Sequence, residues 1–125
     1  MLRELRENLK LTYMYITHDL NVAKTMSDFV AVMYLGRIVE MASSEELFKT
    51  PLHPYTQVLI GSIPRLAHER QELTVLEGEV PSPIDVPRAC ALHPRCPRRL
   101  GSTCDQKIPQ LRSVREAHQV ACHIF

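Results

Sequence analysis

Four cysteines are the residues of this chain best suited by type and clustering to hold a metal centre. They are its only cysteines, and all four fall between position 90 and the last residue, 125: Cys90, Cys96, Cys104 and Cys122. This segment has few large apolar side chains, and small scaffolds of that kind usually need a covalent or metal staple. We therefore expect the four thiols to converge in the folded chain.

The spacing of these cysteines leaves the nature of the staple open. Two disulfides would need an oxidising compartment, for which the sequence carries no secretory signal. Zinc is compatible with four thiolates, but structural zinc sites favour Cys-x2-Cys pairs, and here the gaps are five, seven and seventeen residues. A four-iron four-sulfur cluster takes one thiolate per iron, and Cys96-Pro97 matches the cysteine–proline step of ferredoxin sequences. Cluster, zinc and unliganded buried cysteines all stay possible on chemistry alone.

A histidine at the end of an apolar run is the second candidate for chemistry. Residues 11–16 are mostly aromatic, aliphatic or β-branched, which predicts a strand buried on both faces of a parallel sheet. His18 would then lie at the carboxyl edge of that sheet, where open α/β sheets bind ligands. Asp19 is placed to cap a helix that begins at Leu20. A histidine in this position is also common as an ordinary loop residue.

The elements around these residues follow from local patterns. The leucine spacing near the start predicts an amphipathic helix, and a second apolar run with Gly36-Arg37 predicts a hairpin with a type II′ turn. Ser43 and Glu46 form a capping box for a short helix, and His53-Pro54-Tyr55 opens another, which Pro64 ends. Thr74-Val75-Leu76 is compatible with a short strand.

Length, composition and charge set limits on function. A chain of 125 residues with 45% hydrophobic content is one ordinary domain or two small pieces. A net charge of +1 gives no strong field for nucleic acid or anionic lipid. The longest apolar run is far short of the roughly 20 residues that span a bilayer. We expect a cytosolic protein with reduced thiols and no transmembrane segment of its own.

An ordered set of motifs resembles a known family. Ile16-Thr17-His18-Asp19-Leu20, followed by Val30 to Glu40, resembles the end of an ABC transporter ATPase domain from its switch histidine onward. The resemblance continues through His53-Pro54-Tyr55, Gly78 to Pro83 and the cysteine-rich segment, and covers nearly the whole chain. Together these motifs resemble the ATPases of the oligopeptide, dipeptide and nickel importer branch, which carry a characteristic C-terminal extension.

The resemblance implies roles for both groups of candidate residues. His18 would be the switch histidine, whose imidazole reaches the γ-phosphate and helps to hold the attacking water. The four cysteines would hold an iron–sulfur cluster, as in similar importer extensions, with zinc as the alternative. ATP and magnesium would bind to the intact subunit. The implied partners are integral-membrane permease subunits and a second ATP-binding subunit, with no nucleic acid, at the inner face of the cell membrane.

The sequence also limits the activity of this chain. It contains glycine only at 36, 61, 78 and 101, none followed by lysine, so the phosphate loop G-x-x-x-x-G-K-[ST] is absent. The family's signature motif and magnesium-binding acidic strand are absent too, so we expect no ATP hydrolysis by this chain alone. Phe29 and Ala89 depart from the arginine and glycine that the family pattern has at these positions.

The predicted fold class is α/β: a C-terminal fragment of an ABC ATPase domain with buried strands, a hairpin and short helices, followed by a small irregular Cys-rich extension. The predicted division is 1–64 for the nucleotide-binding portion, 65–87 for a linker and 88–125 for the extension. His93, His118 and His123 are predicted to pack against or hydrogen-bond the cluster loops, or to replace a cysteine as zinc ligands. Arg88, Arg95, Arg98 and Arg99 are expected either to offset the negative charge of a thiolate cluster or to form a solvated face. The alternative function is a small metal- or iron-sulfur-binding interaction module in which residues 80–125 fold alone.

Overall fold

The computed structural model describes residues 2–63, 76–79, 81–82 and 84–125. Within these ranges five short helices and four strands follow one another along the chain, with a 3-10 turn at His93–Arg95. In order they are α1 Leu2–Leu9, α2 Leu20–Met26, β1 Phe29–Tyr34, β2 Arg37–Ser43, α3 Ser44–Lys49, α4 Pro54–Gly61, α5 Gly101–Gln106, β3 Arg112–Arg115 and β4 His118–Val120. No helix among the described residues has the length and apolarity to cross a bilayer.

The four strands form one sheet in the order β1-β2-β4-β3, and every neighbouring pair is antiparallel. The mixed α/β class is confirmed, but the parallel pairing expected around residues 11–16 is wrong. The register pairs Glu40 with Val120 and Ala42 with His118, so the last strand of the Cys-rich segment extends the first hairpin. The division at 64 and 88 stays a prediction, although this pairing joins the two outer segments through one sheet.

Residues 11–16 form no strand in this structure. The side chains of Met14 and Ile16 are 92% and 90% exposed, and β1 is hydrogen-bonded to β2 instead. A strand needs the backbone of a neighbouring strand to satisfy its N–H and C=O groups, and no strand in the described part of the chain supplies one to this segment. His18 is consequently exposed on a loop, and its expected position at a sheet edge is wrong.

The first hairpin turns one residue earlier than predicted. Tyr34 pairs with Arg37, so the two-residue loop is Leu35-Gly36. Both residues have positive φ, 45° and 76°, which identifies a type I′ turn in place of the predicted type II′. Glycine adopts this conformation without strain, whereas Leu35 takes it because the turn matches the twist of the two strands.

Local signals predicted the helix starts correctly. The Asp19 carboxylate accepts the N–H groups of Asn21 and Val22 at 2.8 and 3.2 Å, and α2 begins at Leu20 as expected. Ser43 caps α3 by accepting the N–H of Glu46. The second half of the predicted capping box is replaced, because Glu46 forms an ion pair with Arg115.

The remaining predictions concern the packing of α1, the end of α4 and a short strand near residue 75. The leucine spacing of α1 predicts a helix face that packs against the rest of the chain. In the structure, Leu5 and Leu9 on this helix are exposed. The stop at Pro64 and the strand residues Thr74 and Val75 lie outside the described part of the chain. Leu76 is described and is buried in the main core.

The core joins the first hairpin to the cysteine-rich segment. Val32 and Tyr34 of β1 and Leu47 of α3 belong to the same buried cluster as Leu92 and Cys104. Two segments distant in sequence therefore share one hydrophobic interior among the residues that the structure describes.

Candidate functional site

The four cysteines come together as free thiols. Cys90 and Cys104 are buried and joined by a backbone hydrogen bond of 3.2 Å from the Cys90 N–H to the Cys104 carbonyl. Burial raises the pKa of the Cys90 thiol, and charge on the other three sulfurs raises it further. The same causes, burial first, raise the pKa of Cys96 and of Cys122. The thiols therefore lie close enough in the fold to affect one another's ionisation, and the predicted metal centre stays a prediction.

A backbone N–H group donates to each of the four sulfurs. The donors are Leu92 to Cys90, Arg98 to Cys96, Leu100 to Cys104 at 3.3 Å, and Ile124 to Cys122. Such bonds favour the thiolate and lower the pKa of three of these sulfurs against the effect of burial. The same kind of bond tunes the potential of thiolate-bound iron–sulfur clusters.

The thiols do not form a ready single-ion site. Within the described residues, no group of three or more His, Cys, Asp or Glu side chains is placed to hold one metal ion. Zinc requires four ligands converging tetrahedrally at about 2.3 Å from the metal for sulfur. The arrangement offers sulfur donors without that convergence.

The three histidines predicted to support the cysteines have separate roles. His93 Nδ1 lies 2.8 Å from the Cys90 carbonyl oxygen, in agreement with the prediction that it bonds a cluster loop. His123 Nε2 lies 2.9 Å from the Lys107 carbonyl oxygen. His118 instead contacts Glu40, and its Nε2 is 2.7 Å from Glu40 Oε1.

The arginines near the cysteines differ in their partners, which are backbone carbonyl oxygens, a carboxylate or the thiols. Arg95 donates to the carbonyl oxygens of Leu76 and Glu77 at 3.2 and 3.3 Å, which fastens that short segment to the cysteine loop. Arg99 forms an ion pair with Asp105. Arg98 lowers the pKa of Cys96 and Cys122 through its positive charge, the effect predicted for a cation beside thiolates.

A buried polar junction at Glu40 was missed by the sequence analysis. The Glu40 side chain is fully buried, and its two oxygens accept the N–H groups of Leu52 and His53 at 2.7 and 3.0 Å. His118 contributes the third bond to this carboxylate. A glutamate in a strand gives no sign of burial by itself, because its partner lies 78 positions away.

His53 belongs to the same junction and caps α4. Its Nδ1 accepts the N–H of Tyr55 at 3.2 Å, while Pro54 occupies the first turn of the helix. Burial lowers the pKa of His53 to about 4, against a raising effect from Glu40. His53 is therefore a neutral structural cap at neutral pH. Tyr55 packs on Tyr34 with ring centroids 4.7 Å apart, as expected for a packing residue.

His18 lies apart from this junction on the loop before α2. Its neighbours are held by local bonds, since Asp19 donates its N–H to Thr17 Oγ1 at 3.0 Å and caps the helix. The His18 imidazole is exposed, so its ring is accessible from solvent.

The sequence of this chain is similar to those of known peptide transport proteins. The chain is 42% identical over 128 aligned positions to the oligopeptide transport ATP-binding protein AppF of Bacillus subtilis, covering 100% of the chain and 39% of that protein. It is 43% identical to the probable peptide ABC transporter ATP-binding protein y4tS of Sinorhizobium fredii, covering 99% of the chain and 35% of that protein. For the putative oligopeptide transport ATP-binding protein YkfD of Bacillus subtilis the identity is 38%, over 100% of the chain and 39% of that protein.

The chain thus spans about two fifths of the length of these relatives. A family model described as "Oligopeptide/dipeptide transporter, C-terminal region" matches residues 39–104, which include Glu40, His53 and the first three cysteines. Because this match covers more than half of the sequence, the chain belongs to the oligopeptide/dipeptide transporter C-terminal region family.

Proposed function

We propose that this chain is the C-terminal part of the ATP-binding subunit of a peptide-type ABC importer. In that subunit it would help to couple ATP hydrolysis to the uptake of peptides or related solutes. The observation that carries the proposal is the similarity of the full chain to peptide transport ATP-binding proteins, together with the ordered motifs from Thr17 to Glu40. The absence of a phosphate loop from the sequence predicts that the chain alone hydrolyses no ATP.

His18 is proposed to contact the γ-phosphate in the intact subunit. Its exposure and the rigid cap beside it support this role, because a ring N–H can then reach a phosphate oxygen without desolvating a core. Catalysis of phosphoryl transfer relies on positioning and electrostatic stabilisation, so a single well-placed donor matters.

The test of this role is His18→Ala in the intact subunit. We expect kcat for ATP hydrolysis to fall about 10²-fold or more while nucleotide affinity stays within about two-fold. Asn21→Ala changes another exposed side chain of the same region and should leave kcat near wild type. Loss of nucleotide binding in His18→Ala would point to a structural histidine, and hydrolysis by the 125-residue chain alone would refute the wider proposal.

The four thiols are proposed to hold an iron–sulfur cluster, with zinc as the alternative. The donor set fits such a group, because four free thiols lie near one another and a backbone N–H donates to each sulfur. When bound, a cluster would cross-link the segment, and its redox properties would depend on the four N–H donors.

Analysis of anaerobically purified protein tests the cofactor proposal. We expect iron and acid-labile sulfide in equal amounts with a broad visible absorption, and loss of both when Cys104 is changed to serine. Stoichiometric zinc without sulfide would contradict the iron–sulfur cluster and support a zinc site. Protein without either metal would refute a metal centre.

Permease subunits and a second ATP-binding subunit are the proposed partners, at the inner face of the cell membrane. The names of the relatives support this assembly. Co-purification of tagged intact subunit with its permease from detergent-solubilised membranes is the expected result, and recovery without any integral-membrane protein would contradict it.

A further inference from the structure

One carboxylate joins three parts of the chain that are distant in sequence. Glu40 on β2 accepts hydrogen bonds from Leu52 and His53 at the start of α4 and from His118 on β4. Both Glu40 and His118 are fully buried. Removing one of the three donors leaves the desolvation of the buried carboxylate uncompensated, which lowers the stability of the fold. The contact between the three segments is therefore cooperative.

Cys122 depends on this junction in a way that the other cysteines do not. Cys90 and Cys104 are bonded to each other through the backbone, and Cys96 follows the 3-10 turn that begins three residues after Cys90. Cys122 follows β4, whose last residue is Val120, and the adjacent His123 also contacts the Lys107 carbonyl oxygen through Nε2 at 2.9 Å. The Ala121 N–H then bonds the Val39 carbonyl at 2.8 Å, so β2 fixes the backbone up to the residue before Cys122.

The strand that precedes Cys122, β4, is too short to fix its own register. β4 has three residues, and its pairing with β3 contains an irregularity between Ser113 and Arg115. A slip of one residue on β2 would turn the His118 ring to the opposite face of the sheet and leave Glu40 without its third donor. The side-chain bond therefore selects the register in which Cys122 meets the other thiols.

A small cavity shows that the junction borders the thiol site. His53 and Cys90 line the same cavity of about 40 Å³, together with Val39 and Ala121. The start of α4, strand β2 and both ends of the cysteine segment thus meet at one place.

We propose that Glu40, acting through His118, is a positioning residue for the thiol site and determines whether Cys122 joins the other three cysteines. This inference deepens the proposed function and rests on it only for the identity of the bound group. The residues concerned are far from His18 in sequence and are given no part in phosphate chemistry.

The test measures alkylation of each cysteine in the reduced, metal-free 125-residue chain by mass spectrometry. In Glu40→Gln and in His118→Phe, we expect Cys122 to react about ten-fold faster or more than in wild type, because local opening of β4 becomes easier. The rates of Cys90 and Cys104 should rise by no more than the global loss of stability predicts, and by a smaller factor than the rate of Cys122, since their mutual contact does not involve β4. A purely structural role would speed all four cysteines together and would overturn the proposal, as would an unchanged Cys122.

Two matched variants separate the junction from its surroundings. Arg6→Ala removes an exposed bridge to Asp28 and should leave the Cys122 rate near wild type. His118→Gln keeps a side-chain N–H donor and should restore slow alkylation compared with His118→Phe. If Glu40→Gln gives no folded protein, this pair still decides the question, because equal rates in His118→Phe and His118→Gln would refute the proposal. The assay needs no metal, so failure of the chain to take up iron or zinc would count only against the cofactor proposal.

Discussion

His118 Nε2 lies 2.7 Å from Glu40 Oε1, with both side chains fully buried, and this contact bridges 78 positions of sequence. It ties β4, the last strand of the cysteine-rich segment, to the hairpin formed by β1 and β2. The cysteine-rich segment is therefore built into the same sheet as this hairpin, and residues 80–125 folding alone would leave His118 without its carboxylate partner.

The first prediction concerns the stability that this contact provides. Glu40→Ala or His118→Ala should each lower the free energy of unfolding by about 3–5 kcal/mol, because each leaves a buried polar partner unsatisfied. Urea denaturation measures the loss, and the double variant should lose less than the sum. Arg6→Ala, which removes an exposed bridge to Asp28 at 3.0 Å, should cost less than about 1 kcal/mol. Equal effects for the buried and exposed pairs would contradict the prediction.

The second prediction concerns a buried hydroxyl. Among the described residues the Tyr34 hydroxyl has no hydrogen-bond partner, although the side chain is buried. Tyr34→Phe removes an unsatisfied group and keeps the ring contact with Tyr55, so stability should stay constant or rise by about 1 kcal/mol. Thermal unfolding followed by circular dichroism is the measurement, and a clear drop in Tm would show that the hydroxyl is bonded in solution.

The third prediction concerns the cap of α2. Asp19→Ala should lower the free energy of unfolding by about 1 kcal/mol, because two backbone N–H groups lose their acceptor. Asp19→Asn keeps an acceptor oxygen and should stay within a few tenths of a kcal/mol of wild type. Urea denaturation compares the two variants. If Asn were as damaging as Ala, the charge of Asp19 and not its capping bond would be what the fold needs.

The fourth prediction concerns pH. Burial holds the pKa of His53 at about 4 in the fold, against 6.5 for a free histidine. Between these values the unfolded chain binds a proton that the folded chain does not, so stability falls as pH decreases from about 6.5 to 4. The full loss from this group is about 3 kcal/mol at 1.36 kcal/mol per pKa unit.

Urea denaturation of wild type and His53→Asn across that range isolates the effect. Asparagine can cap α4 through its amide oxygen but does not titrate, so the variant should show a flatter dependence on pH. Asn21→Ala changes an exposed residue that does not titrate and should keep the wild-type slope. Parallel curves for wild type and His53→Asn would place the acid sensitivity elsewhere.

The sequence by itself determined what depends on neighbouring residues. The helices that begin at Leu20, Ser44 and Pro54 were predicted correctly. Each is preceded by a residue whose side chain accepts a backbone N–H two or three positions further along the chain. The hairpin was predicted as well, with its turn displaced by one residue. The ordered motifs also indicated the family, whereas the metal centre predicted from the four cysteines stays a prediction.

Only the tertiary structure decided which distant groups meet. The apolar run at 11–16 has the composition of a strand, yet composition supplies no neighbour to complete its hydrogen bonds, and the run stays unpaired in the described chain. Glu40 and His118 look like ordinary surface residues in the sequence. They are buried because the sheet makes them diagonal neighbours, Glu40 opposite Val120 and His118 opposite Ala42, where each compensates the desolvation of the other.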